Sequence, residues 1–140
     1  MNTKRQRGSA LIEFAGSLML LSAMFVGIFQ TGYTFFTYGT LVSAVRAGAR
    51  YASLRSPHVI ASDPEFAKTV ANIVVYGEPR PAAGKLPVVK GLGPENVDVV
   101  LGTSSATVSV RDFAVDAIFM KLKLSGRPTV TFPFTNGGAK

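Results

Sequence analysis

From Phe14 to Val45 the chain carries no Asp, Glu, Lys or Arg, and its first half, Phe14 to Phe29, is almost wholly apolar. A lipid span needs roughly 20 mostly apolar residues in a closed hydrogen-bonding form, because no water is present to satisfy the backbone. This run decides the architecture before any other feature. Beyond Gln30 it turns polar without gaining charge, through Thr31, Thr34, Thr37 and Thr40. The bilayer segment is therefore placed at about 11–32. The basic residues Lys4, Arg5 and Arg7 precede it, and the excess of positive charge on that side places the N-terminus in the cytoplasm and everything after Gln30 across the membrane.

The helix is expected to continue past the span. No proline interrupts the chain before Pro57, and proline is a natural stop. A helix over 9–54 is about 70 Å long at 1.5 Å per residue. In its second half Leu41, Val45, Gly48, Ala49 and Ala52 recur at spacings of three and four, so they share one face. Small residues recur there as Ala44-xxx-Gly48 and Ser43-xxx-Ala47. They allow another element to approach the helix backbone, either the chain's own domain or a neighbouring helix. A conventional cleaved secretory signal fits poorly, since the apolar segment exceeds the usual length and opens with Glu13.

The remainder reads as a small α+β domain over 55–140. Ser62-x-x-Glu65 forms a capping box, with Asp63 and Pro64 in the first turn of a helix running to about Tyr76. Phe66, Val70, Ile73 and Val74 form its buried face, and Gly77 ends it. Alternation marks strands around Val97, Val99 and Leu101, around Val108, Val110 and Asp112, and around Val130, Phe132 and Phe134. Leu86–Lys90 is a further strand candidate. Ala114–Lys123 reads as a short helix or an apolar loop covering one sheet edge. The fold class expected is thus a long N-terminal transmembrane α-helix packed on one short helix and a three- or four-stranded, mostly antiparallel sheet. Roughly 85 residues outside the stem bury only a small core, so the sheet needs the outer half of the stem.

The formal net charge is +7, but part of it is the basic start of the chain, and no zinc-finger or RNP-type motif accompanies it. With no cysteine and a single histidine, His58, thiol chemistry and a histidine metal cluster are excluded. The eight acids show no metal-loop spacing. The expectation is a chain that is not an enzyme, with no cofactor, no metal, no small-molecule substrate and no nucleic-acid partner. Phe29, Tyr33, Phe35, Phe36 and Tyr38 cluster where the helix leaves the lipid, as an interfacial belt does. Arg46 and Arg50 lie four apart on the outer stem. They form a solvated or carboxylate-paired surface, or they dock the domain or a neighbouring subunit with Tyr51 stacking beside them.

Two motifs then carry a resemblance. "RQRGSALIEF" resembles the processing site of type IV prepilins and pseudopilins: a basic leader, a glycine, a new N-terminus and an apolar helix with glutamate at its fifth position. More narrowly, that start and the "A-x-x-A-R-Y-A"-like stretch from Ala44 to Ala52 are similar to TadE-like proteins, minor pilins or pseudopilins of the tight-adherence (Tad/Flp) pilus. The resemblance implies a leader over 1–8, cleavage between Gly8 and Ser9 by a prepilin peptidase, and Glu13 as the fifth mature residue. It implies other pilins, the Tad assembly platform and the inner membrane as partners. A buried carboxylate is costly unless neutral, paired or near the interface, and an amine freed at Ser9 lies one turn away from Glu13. The alternative is an uncleaved single-span anchor displaying a small extracytoplasmic binding domain.

Overall fold

The computed structural model describes residues 3–54, 64–102, 104–116, 121–123 and 128–134, with side chains at 8–54, 65–102, 104–114 and 128–134. Helix α1 runs unbroken over Thr3–Ser53, 51 residues, or about 76 Å. It starts six residues before the expected Ser9, because Lys, Arg and Gln are good helix formers and extend the apolar run backwards. Its hydroxyls are satisfied within the helix: Ser22 Oγ donates to the Leu18 carbonyl at 2.8 Å, and Thr31 and Thr34 donate to the carbonyls of Gly27 and Gln30 at 2.9 Å. Such back-bonding lets a helix carry threonine through hydrocarbon without an orphaned donor.

The helix has two regimes. Nearly every large apolar side chain from Leu11 to Phe36 is exposed. From Thr37 onward one face is covered, with Leu41, Val45, Ala49 and Ala52 at 0% exposure. These four are the expected buried face, and they enter the domain core.

Helix α2, Pro64–Tyr76, lies against the outer half of α1. Phe66, Val70, Ile73 and Val74 are buried as the periodicity expects. Gly77 follows with φ +75°, and its N–H donates to the Ile73 carbonyl at 2.9 Å, so the end falls at the glycine that tolerates this conformation. Ser62 and Asp63 of the expected capping box, and His58, lie outside the described residues.

The strands are β1 (Val97–Leu101), β2 (Ser105–Val110), β3 (Ala114–Asp116), β4 (Lys121–Lys123) and β5 (Thr129–Pro133). A 3-10 turn, Pro94–Asn96, leads into β1. Strands β1, β2 and β5 form one antiparallel sheet in the order β1-β2-β5, and β3 pairs with β4 separately. In the register Val99↔Val108 and Val108↔Val130, the even positions of β2 point inward, where Ala106, Val108 and Val110 are buried. Helix α1 crosses β2 and β5, while α2 covers β1. The architecture is α+β, with the stem as one layer of the domain core.

Three expectations need correction. Leu86–Lys90 is not a strand. It is a strap in which the Val88 N–H donates to the Val75 carbonyl near the end of α2 at 2.7 Å, and Val89 enters the core. Ala114–Lys123 holds the β3–β4 pair rather than a helix or loop, with 117–120 outside the described residues. Asp112 lies beyond β2 at φ +51°, in a turn that delivers Phe113 to the core.

Candidate assembly site

The residues singled out in the sequence fall into two groups along α1. The first is Gly8, Ser9 and Glu13, all exposed on the first turns of the long apolar segment. Glu13 follows Ser9 by four residues, so the two lie on one side of the helix a single turn apart. Among the described residues Glu13 has no ion-pair partner within the chain. The helix runs through the Gly8–Ser9 bond without a break.

The second group lies at the other end. Arg46 and Arg50 are exposed, and each follows a fully buried residue, Val45 and Ala49. One residue is 100° of helical rotation, so the arginines emerge on the flank of the stem away from the core. Among the described residues neither forms an ion pair. The ion pairs present lie elsewhere: Lys85 with Glu78, and Arg111 with Asp98. Tyr51 turns the other way. Its ring stacks on Phe66 of α2 with centroids 6.1 Å apart and planes 18° from parallel. Tyr51 therefore joins stem to domain.

The two small-residue pairs also separate. Gly48 faces α2, with Val70 and Val74 directly against its backbone, and Ala44 packs against the core. Ser43 and Ala47 are exposed on the opposite side with Arg46 and Arg50. One pair thus serves the chain's own fold, and the other is exposed.

The exposed apolar stretch between the groups has the length of a membrane crossing. Glu13 and Phe36 are separated by 23 residues, or about 35 Å of helix, close to the hydrocarbon thickness of roughly 30 Å. Phe29, Tyr33, Phe35, Phe36 and Tyr38 are all exposed at the far end. By length and composition this helix can cross a bilayer once. Domain contact begins at Thr37, so a membrane ending near Gly32 leaves about one and a half turns between lipid and domain.

An open cleft of about 930 Å³ lies between α2 and the loop after it, with Lys68, Arg80, Lys85 and Glu65 on its walls. Among the described residues no three His, Asp or Glu side chains are grouped to hold a metal ion. The sequence did not foresee the strap through Val88 and Val89 or the stacking of Tyr51 on Phe66. The spacing of Tyr51 from Ala52 and Gly48 was the available signal for the latter.

The comparisons with known proteins agree with the stem. The family model described as TadE-like protein matches residues 8–50. The match begins at Gly8, takes in Glu13 and ends at Arg50, so it covers both groups and stops before α2. No curated protein and no solved structure matches the chain.

Proposed function

On the premise that residues 8–50 are a TadE-like segment, we propose that the chain is a minor pilin or pseudopilin of a tight-adherence pilus system, structural rather than catalytic. It is made as a single-pass inner-membrane precursor with a cytoplasmic N-terminus. A prepilin peptidase then removes the leader after Gly8. The mature protein joins other pilins and the assembly platform, and supports a pilus used in surface attachment.

The observation that carries this reading is the division of α1. One continuous helix is bare from Leu11 to Phe36 and built into a domain core from Leu41 to Ala52. A domain needs an anchor only, but the single acid of the bare half stands four residues after the match's first serine. Hydrolysis of the Gly8–Ser9 peptide bond leaves a carboxylate on Gly8 and a cationic amine on Ser9. That amine neutralises Glu13 in the same chain or in an adjacent one, and a charge paired in this way fixes the axial register of stacked helices. Arg46 and Arg50 supply a second contact, for acidic groups of a neighbouring subunit.

The test is the mass of the N-terminus in membranes that contain an active prepilin peptidase. The expected chain starts at Ser9. A chain that keeps Lys4 to Gly8 under those conditions overturns processing and leaves the uncleaved anchor that displays a binding domain.

A further inference from the structure

The three-stranded sheet has two edges, and its hydrogen bonds fix what each one presents. The Arg111 N–H donates to the Asn96 carbonyl at 2.7 Å, and the Gly102 N–H donates to the Ser105 carbonyl at 2.8 Å. With the register Val97↔Val110, the residues of β1 whose backbone bonds to β2 are therefore Asp98 and Val100. In an antiparallel ladder the alternate residues turn their N–H and C=O groups the other way. Val97, Val99 and Leu101 thus aim theirs at the free edge. The Val97 N–H is taken by the Pro94 carbonyl. Among the described residues, the N–H groups of Val99 and Leu101 and the carbonyls of Val97, Val99 and Leu101 make no backbone hydrogen bond.

Edges are normally blunted by proline, by charge or by a bulge. The opposite edge strand, β5, ends in Pro133, which has no N–H to offer. Strand β1 has no such device. It reads Val-Asp-Val-Val-Leu, its one charge Asp98 is held by Arg111, and Val100 is 55% exposed. A regular row of backbone donors and acceptors is complemented by one kind of partner, another extended backbone.

Antiparallel self-pairing and head-to-tail pairing each meet an obstacle. Two copies joined β1 to β1 as an antiparallel pair are related by a two-fold axis normal to the sheet. Helix α1 packs on the face of this sheet, across β2 and β5, so its axis lies along the sheet and that rotation reverses it. The two stems then point in opposite directions and do not share one membrane. Pairing β1 with β5 of the next copy keeps the stems parallel but meets the edge that Pro133 interrupts.

We propose that the β1 edge receives an extended strand from a different membrane-anchored subunit, one whose helix runs in the same direction as α1. The added strand bonds to Val97, Val99 and Leu101, and its inward side chains extend the apolar face those residues already form with the core. The source of that subunit rests on the pilus reading.

Amide hydrogen exchange on the full chain tests this. The chain is recovered in detergent from cells expressing it alone, and from cells carrying the complete pilus machinery. In the second sample the Val99 and Leu101 amides are expected to exchange at least about tenfold more slowly, while Val108, inside the sheet, is slow in both. Val99→Pro removes an outward N–H and leaves the bonds to β2, and it is expected to restore fast exchange at Leu101. If Val99→Pro costs the fold, Val108 loses protection, and the wild-type comparison still decides. Equal rates at Val99 and Leu101 in the two wild-type samples overturn the proposal. Slow exchange in the chain expressed alone also overturns it, since the partner is then a second copy. Intact mass in the same samples scores leader removal. A processed chain with fast β1 amides rejects the edge contact alone, and an unprocessed chain with slow ones rejects the processing alone.

Discussion

The Gly48 backbone and the Val74 side chain leave no room between them for a methyl group. This contact sets how closely α2 lies on the stem, and Val70 flanks it at ordinary packing distance. Gly48→Ala forces Val74 or the helices to shift, at a cost of about 1–3 kcal/mol. The measurement is the denaturant midpoint of the full chain in detergent. Val74→Ala in the same chain opens the space and is expected to recover part of the loss, the sign of a local steric conflict.

The Tyr51–Phe66 stack joins stem and domain near the C-terminal end of α1. Phe66→Leu keeps most of the buried apolar bulk and removes the ring pair, which is worth about 0.5–1.5 kcal/mol beyond its area. The variant is expected to lower the unfolding midpoint by that order. Protease sensitivity between α1 and α2 is expected to rise with it.

Arg46 and Arg50 contribute little to the fold, because both are exposed and unpaired among the described residues. Arg46→Glu and Arg50→Glu are each expected to change stability by no more than about 0.5 kcal/mol. Co-purification with other pilins is expected to fall for the double variant. A double variant that assembles normally removes these arginines from the contact surface.

Glu13→Gln keeps the size of the side chain and discards its charge. Leader removal is expected to proceed, since the Gly8–Ser9 bond is untouched. A charge-assisted contact is worth about 1.5–3 kcal/mol, so recovery of the mature chain with partner pilins is expected to drop about tenfold or more. Unchanged recovery argues against pairing with the Ser9 amine.

Much of the fold was legible because its signals are periodic. Leu41, Val45, Ala49 and Ala52 repeat at helical spacing and are wholly buried. Phe66, Val70, Ile73 and Val74 repeat likewise, and the odd and even positions of β2 and β5 divide as alternation requires. Leu86–Lys90 misled because a short apolar run looks the same whether it pairs in a sheet or straps a helix end. Its actual role follows from one hydrogen bond, Val88 to Val75, which no local pattern encodes. The β3–β4 pair was hidden by the continuous apolar stretch Ile118–Met120, which masks alternation. For the candidate site, Gly8, Ser9, Glu13, Arg46 and Arg50 were visible as residues, but which side of the stem each occupies depends on where the domain docks. The bare edge of β1 depends on strand order, a long-range property.

The shared core has a mechanical meaning. Leu41, Val45, Ala49 and Ala52 interlock with α2 and the sheet over three turns of α1. Sliding the stem by one turn, about 5.4 Å, means withdrawing all four from their seats at once. No intermediate stop exists between seated and withdrawn, since packed side chains do not deform continuously. A pull or twist that reaches the domain along the rod is therefore borne in shear by the core rather than by a linker.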